Sequence, residues 1–386
     1  MTTQKRIFIS AGESSGDFHA AGLVRELLNL NTDLQIEGLG GDNLSKLGVK
    51  LLYHTRDLAA MGFWEVIKKL SFFMDVRNDC HKLLMDKKPD LVILVDYPGF
   101  NLRLARDAYR LGIPVVYFIL PQVWAWKPNR IESLNKYCQM LISILPFEKD
   151  FFARYNTEVE YVGHPFTDTI PDEADVSGIR KQLNLAETDK LICLLPGSRE
   201  QELERNLPPM IEALTILKQK FKNLKGVIIK AENLEIDLYS KKIGKAVDYI
   251  EITESEKYSY IKASDSVMVA SGTATLETAI CGTPGVVVYK TSPLTYFLAK
   301  RLVKIDTIAL ANIVAGERVF PELIQKDAAP ERIANEIDKI LSDQNHYNDI
   351  RNRLSNIREK LEPKGSYARA AKLIYDKFLA ENNQET

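Results

Sequence analysis

Short apolar runs, each ending abruptly in small or polar residues and each followed by a helical stretch, constrain this chain more than any other feature. In the first half these runs are residues 6–11, 91–95 and 115–120, with 159–163 closing the series; in the second they are 191–195, 226–230, 266–270 and 285–289. A strand with no polar alternation must be covered on both faces. Strands that alternate with helices, here one from about Asp17, one after Asn101 and one over 207–221, therefore predict parallel sheets between helical layers. The two series are separated by the polar, turn-rich stretch 164–175, which reads as a linker. A chain of 386 residues also exceeds what one core usually supports. The expectation is an α/β protein of two doubly wound Rossmann-like domains, 1–168 and 169–355, facing a central cleft, with 356–386 as a C-terminal helical element. Its apolar residues Ala368, Ala371, Leu373, Ile374 and Phe378 recur at helical spacing and need a partner surface. That surface is either the first domain or a second subunit, the latter giving a homodimer through C-terminal elements.

Composition narrows the class. A formal net charge of -1 provides no global attraction to nucleic acid, and the N-terminus has neither the apolar region of a signal peptide nor any later run long enough for a membrane span. A cytoplasmic protein is expected, with any membrane contact local. Cys80, Cys138, Cys193 and Cys281 are too scattered for a disulfide framework or a zinc site and read as buried thiols. The five histidines are isolated and no Asp-x-Asp pair occurs, so neither a metal site nor a cofactor is expected.

Ligands of doubly wound sheets bind at the carboxyl ends of strands, and the chemistry-bearing residues sit where such ends are predicted. Residues 265–277 run from a strand through a small-residue turn into a helix beginning near Ser271. Uncapped N–H groups and the positive end of the helix dipole favour a phosphate there, and Gly272 lets it approach closely. Thr273 and Glu277, four apart, share one helix face and can reach the rest of a nucleotide. In 191–202 a strand ends in a Pro-Gly turn at Gly197, Ser198 and Arg199. The guanidinium there either binds diphosphate oxygens or pairs with Glu200 or Glu202. Neither turn has the spacing of a P-loop.

In the first half, the strand 91–95 delivers Asp96 to its carboxyl end, as a general base worth about 10²–10⁴-fold in rate or as the organiser of the turn Tyr97-Pro98-Gly99. Residues 11–17 form a similar edge loop in which Gly12, Glu13, Ser14, Ser15 and Asp17 either contact an acceptor or, in the case of Asp17, cap a helix. Trp124 and Trp126 lie on another strand-end loop, where they either stack on a sugar or line the cleft. Residues 61–74 gather Phe63, Trp64, Ile67, Leu70 and Phe73 around Lys68 and Lys69, too many large apolar groups for one core stripe. They either dip into a lipid interface or pack in a core or subunit contact.

Six segments in order, Ser10-Ala-Gly-Glu-Ser-Ser-Gly-Asp17, Val95-Asp-Tyr-Pro-Gly-Phe-Asn101, Pro121-Gln-Val-Trp-Ala-Trp126, Tyr161-Val-Gly-His-Pro165, Leu195-Pro-Gly-Ser-Arg199 and Ala270-Ser-Gly-Thr-Ala-Thr-Leu-Glu277, closely resemble the lipid-A-disaccharide synthases over nearly the whole chain. These are inverting glycosyltransferases of GT-B type. Residues 310–317 and 321–325 resemble the family's donor-side loop and point to Asn312 and Gln325, with Ala311 where the family more usually has Pro. The resemblance implies transfer from UDP-2,3-diacylglucosamine to the 6-hydroxyl of 2,3-diacylglucosamine 1-phosphate. Asp96 would then be the base, Arg199 and the Ser271 helix would stabilise departing UDP, and Glu277 would bind the ribose. Because both substrates are acylated, it also implies a peripheral enzyme at the inner face of the inner membrane of a Gram-negative bacterium, held there through 61–74. An epimerase or transferase acting on another UDP-sugar, and a non-catalytic UDP-sugar-binding protein, are the alternative readings of the same architecture.

Overall fold

The computed structural model describes residues 4–58, 70–244, 248–302 and 306–380. The chain divides into two compact units, residues 1–165 with 363–386, and residues 166–362. The first unit is built on a seven-stranded sheet: β1 Arg6–Ala11, β2 Gln35–Gly40, β3 Lys50–His54, β4 Leu91–Val95, β5 Val115–Phe118, β6 Met140–Ser143 and β7 Glu160–Tyr161. All pairings are parallel and the order is β3-β2-β1-β4-β5-β6-β7. The chain winds outward from β1 to β3, returns to place β4 against β1, and then winds the other way. The carboxyl ends of β1 and β4 consequently diverge into helices on opposite faces, which opens a crevice at that point.

The second unit repeats the design with six parallel strands: β8 Lys190–Leu195, β9 Leu224–Ile229, β10 Ile250–Thr253, β11 Ser266–Val269, β12 Gly285–Tyr289 and β13 Glu322–Ile324, ordered β10-β9-β8-β11-β12-β13. Its reversal lies between β8 and β11. The two loops that composition singled out in each half thus fall at the two reversal points.

The strands read from the sequence are present, and five more join them: β2, β3, β6, β10 and β13. These are short, or carry glycine and charged residues, as in Gln-Ile-Glu-Gly-Leu-Gly for β2, so they lack a continuous apolar signature. Sheet neighbours complete them: Gly38 sits so close to β1 that a Cβ would overlap the carbonyl oxygen of Ile9. The helix expected over 207–221 begins earlier, at Glu200, and continues across Pro208 and Pro209 to Lys220. Leu203, Leu207, Met210, Leu214 and Leu217 bury one face at three-to-four spacing and hold it there.

The C-terminal residues pack into the first unit. The helix Ser366–Ile374 lies on Ser14–Leu30, where a Cβ at Gly22 would overlap the Tyr367 ring and His19 Nδ1 shares a 2.8 Å hydrogen bond with Tyr367. The Arg369 guanidinium donates to the carbonyl oxygen of Val162, at 2.6 Å from Nη2. Of the apolar residues gathered in 61–74, Phe63, Trp64 and Ile67 lie outside the described residues, as does the side chain of Leu70. Phe73 is partly buried and packs against the core of the first unit. Of the four thiols, Cys80 and Cys193 are buried and Cys138 and Cys281 partly exposed; none is paired in a disulfide.

Candidate active site

In the first unit, β4 ends at Val95 and the backbone turns sharply: Asp96 and Tyr97 are both left-handed, with φ of 45° and 50°. Two consecutive non-glycine residues in that region are strained by roughly 1–2 kcal/mol each. The turn is held by Asn101 in the helix Pro98–Arg110, whose Nδ2 donates to the carbonyl oxygen of Asp96 at 2.7 Å and lies within reach of those of Val95 and Ser10. Ser10 Oγ donates to Asn101 Oδ1 at 2.7 Å, and the fully buried Tyr117 on β5 donates its hydroxyl to the Asp96 carbonyl, also at 2.7 Å. Gly12 is required at the end of β1, because a Cβ there would overlap the Tyr97 ring. Asp96 and Glu13 therefore share the crevice, and burial with the nearby Glu13 charge pushes the Asp96 carboxyl up to about 6. A carboxylate in that range is ionised at neutral pH and basic enough to take a proton from an attacking hydroxyl.

Glu13, Ser14 and Ser15 are exposed at the start of the helix Ser14–Leu30, which no side chain caps. Asp17 points elsewhere. Its buried carboxylate accepts from the backbone N–H groups of Gly41, Asn43 and Leu44 and from Asn43 Nδ2, at 2.6 to 3.2 Å, so it anchors the turn after β2. Four donors on one carboxylate leave no capacity for an acceptor; Asp17 lies inside the helix Ser14–Leu30 rather than capping it, and its carboxylate instead secures the start of the short helix Asp42–Ser45.

A second carboxyl group belongs to the same edge and has no sequence signature. Glu148, in the helix Pro146–Ala153 after β6, is buried; its Oε1 accepts from Trp124 Nε1 at 3.0 Å and its Oε2 shares a short hydrogen bond with Ser143. Ser143 Oγ also lies 3.0 Å from the carbonyl oxygen of Leu145 and accepts from the Leu145 N–H at 3.1 Å. Ser143 has one proton to give, so the network closes when Glu148 is protonated and donates to Ser143, which donates to Leu145. Burial, with a contribution from Asp96, accordingly raises the Glu148 carboxyl to about 7. The arrangement ties the 121–126 loop to β6.

In the second unit, Gly272 with φ 119° is the N-cap of the helix Thr273–Cys281; no side chain caps it, and nothing occupies the space a Cβ at Gly272 would fill. Ser271 Oγ donates to the carbonyl oxygen of Ile308 at 2.8 Å, which fixes the turn, and Thr273 is exposed. Glu277, one turn on, is held by Lys257 Nζ at 2.7 Å from each carboxylate oxygen and by the Tyr258 hydroxyl at 2.9 Å. Lys257 and Tyr258 come from the helix Lys257–Ala263 and meet Glu277 only through the fold.

After β8, Gly197 has φ 124° and Arg199 begins the helix Glu200–Lys220. The Arg199 side chain is 72% exposed and Nη1 lies 3.3 Å from Glu202, whose other oxygen accepts from the Ser198 N–H at 3.1 Å. Such an exposed pair is worth about 0–1 kcal/mol, so the guanidinium can exchange Glu202 for a more highly charged diphosphate. Asn206 braces the turn, donating to the carbonyl oxygen of Pro196 at 2.9 Å and accepting from the Lys290 N–H at 2.8 Å.

Asn312 is buried. Its Nδ2 donates to Phe320 O and Glu322 Oε1, and its Oδ1 accepts from the N–H groups of Val319 and Phe320, all at 2.8 or 2.9 Å. Its polar capacity is used within the 309–322 loop, so it acts on that loop's path rather than as an open donor. Gln325, left-handed at φ 55°, bridges to the backbone of Thr291.

A family model described as lipid-A-disaccharide synthetase matches residues 7–375. The chain belongs to that family. Relatives named lipid-A-disaccharide synthase include one from Trichlorobacter lovleyi, 39% identical over 96% of this chain and 97% of the relative, and one from Syntrophus aciditrophicus, 40% identical over 95% and 96%. The family makes the chain a glycosyltransferase of lipid A biosynthesis and sets aside the epimerase and non-catalytic readings. Among solved structures, the glycotransferase of kitacinnamycin superposes with TM-score 0.66 at 15% identity, covering 97% of this chain and 99% of that one. A UDP-GlcNAc 2-epimerase from Neisseria meningitidis bound to UDP-GlcNAc superposes with TM-score 0.64 at 15% identity, over 96% and 98%. At that identity the likeness is one of fold, the GT-B type with a parallel sheet in each unit. Among the described residues no helix is long and apolar enough to cross a membrane.

Proposed function

We propose that the chain transfers 2,3-diacylglucosamine from its UDP conjugate to the 6-hydroxyl of 2,3-diacylglucosamine 1-phosphate, yielding the β-1,6-linked disaccharide 1-phosphate and UDP. The observation that carries this reading is Asp96, presented on a strained, braced turn at the sheet reversal of the first unit with its carboxyl near neutrality. Asp96 takes the proton of the acceptor 6-hydroxyl as that oxygen bonds to the donor's anomeric carbon. The bond from that carbon to the diphosphate oxygen breaks, its electron pair leaves with UDP, and one in-line displacement inverts the centre. Gly197, Ser198, Arg199 and the uncapped helix start at Ser271, Gly272 and Thr273 receive the diphosphate charge, a task that needs no metal ion in this reading. Glu277, pre-oriented by Lys257 and Tyr258, accepts from the ribose hydroxyls, while Asn312 and Gln325 shape the donor loop. Glu13, Ser14 and Ser15 line the acceptor side with Gly12.

Both substrates are lipids, so the enzyme works at the inner face of the inner membrane as a peripheral protein. Segment 61–74, with Phe63, Trp64, Ile67 and Leu70, is its contact in this reading; Phe73 belongs to the core instead. A homodimer formed by exchange of residues 366–379 between subunits is the corresponding proposal for assembly, and light scattering tests it. The deciding experiment mixes purified protein with both substrates in detergent micelles containing EDTA and reads products by mass spectrometry. Tetraacyl disaccharide 1-phosphate and UDP are expected. No product, with EDTA or after adding magnesium, overturns the reading.

A further inference from the structure

The loop after β5 carries a group of residues that the donor and base assignments leave unused. Trp126 is 38% exposed, with Lys127 Nζ 4.6 Å and Arg130 Cζ 5.0 Å from its ring centroid. Neither cation has a carboxylate within ion-pair distance among the described residues, whereas the half-buried Arg77, Arg180 and Arg353 each do. Arg130 is half-buried, and burial lowers its pKa, with only the Tyr117 hydroxyl acting the other way. A guanidinium partly withdrawn from water without an anion is a site with a missing counter-charge. The aromatic quadrupole holds the two cations only weakly, so both can turn to an anion that offers several acceptor oxygens.

Position narrows the ligand. The Tyr117 hydroxyl that donates to the Asp96 carbonyl at 2.7 Å feels the charges of both Asp96 and Arg130. The cations therefore share the carboxyl edge of the first unit's sheet with the base, at the neighbouring strand. In a hexose acceptor the carbon that bears the primary hydroxymethyl group and the anomeric carbon flank the ring oxygen, so when the primary hydroxyl faces Asp96 the substituent on the anomeric carbon projects from the same side of the ring, toward groups that neighbour that carboxylate on the sheet edge. If that substituent is a phosphate monoester, it needs cations of its own, separate from those that receive the donor diphosphate.

We propose that Lys127 and Arg130, gathered on Trp126, bind the phosphate monoester of the acceptor. This rests on the glycosyl-transfer reading above. The anionic headgroups of a membrane present the same phosphate chemistry, and the test separates the two sources. Lys127→Ala, Arg130→Ala and Arg130→Lys are compared with the unaltered protein in neutral detergent micelles, with acceptor KM, donor KM and direct binding of diacylglucosamine 1-phosphate and its dephosphorylated counterpart all measured. Removing one charge-assisted contact should raise acceptor KM about tenfold to a hundredfold, leave donor KM unchanged, and erase the preference for the phosphorylated acceptor, with partial rescue by Arg130→Lys. Lys127 is exposed, so its variant keeps the test informative if Arg130→Ala folds poorly. Direct binding decides the matter even if the unaltered protein forms no disaccharide, an outcome that would count against the transfer reading alone. Unchanged acceptor affinity overturns the proposal, whether or not the variants lose binding to phosphatidylglycerol vesicles; loss of vesicle binding alone would assign the cations to headgroups.

Discussion

The Asn101 amide nitrogen stands 2.7 Å from the carbonyl oxygen of Asp96, five residues back along the chain, and donates a hydrogen bond to it. That bond, with the one from Tyr117 to the same oxygen, keeps a left-handed Asp-Tyr pair in place and so aims the carboxylate. Asn101 is thus a positioning residue for the carboxylate proposed as the base.

Replacing Asn101 by Ala removes several buried hydrogen bonds while sparing the carboxylate. We expect a stability loss of about 1–3 kcal/mol and a fall in turnover of roughly tenfold or more, with UDP affinity unchanged. Urea denaturation and calorimetry with UDP check the two halves separately.

Asp96 itself should trade stability for activity. Its carboxyl is raised from 3.8 to about 6, so the charged form is less favourable in the folded chain than in the unfolded one. Stability from this group is full below pH 3.8, is lost as pH rises through about 6, and at neutral pH the charge costs on the order of 3 kcal/mol. Asp96→Asn should therefore unfold at higher urea at pH 7.5 but not at pH 3, while turnover falls about 10²-fold or more. An unchanged or lowered midpoint at pH 7.5 would remove the desolvation argument, and near-normal turnover would remove Asp96 as the base.

Glu148 should report its own ionisation through Trp124. Raised to about 7 by burial, it is neutral below that pH and charged above it, and its oxygen receives the Trp124 N–H. Trp124 emission should change with a midpoint near pH 7, and Glu148→Gln should abolish that transition. A transition that persists in the variant would assign it to another group.

Gly12→Ala introduces a methyl group where the Tyr97 ring lies. The ring must move, and the turn carrying Asp96 moves with it. Turnover should drop by roughly 10²-fold, as expected for a misplacement of about 1 Å, with a stability loss of about 1–3 kcal/mol. Steady-state kinetics and thermal denaturation of the variant measure both.

Lys257→Met leaves the Glu277 carboxylate mostly buried with only Tyr258 as partner. UDP affinity should fall about tenfold, because the carboxylate loses its orientation, and stability should fall by about 1–3 kcal/mol. Calorimetric titration with UDP and with uracil separates a ribose effect from a general loss of the site.

By itself the sequence determined the class of fold, because continuous apolar runs such as Leu91–Val95 can only be strands covered on both faces, and their alternation with helices dictates parallel sheets. It also placed the candidate site residues at strand ends, since Gly12, Asp96, Gly197 and Ser271 each follow such a strand and strand ends are where these sheets bind ligands. Family membership was legible for a related reason: the motifs that carry it are those loops. The tertiary structure alone decided which residues in the loops are free to act. Asp17 and Asn312 read as site residues, yet the turn after β2, 24 or more residues on, saturates the first and the folded path of its own loop saturates the second. Glu148, Lys257 and Tyr258 carried no local signal, because their partners Trp124 and Glu277 are 24, 20 and 19 residues away. Periodicity and turn chemistry act over a few residues and can be read along a chain, whereas burial, shared protons and the balance of neighbouring charges exist only once the chain has been brought together.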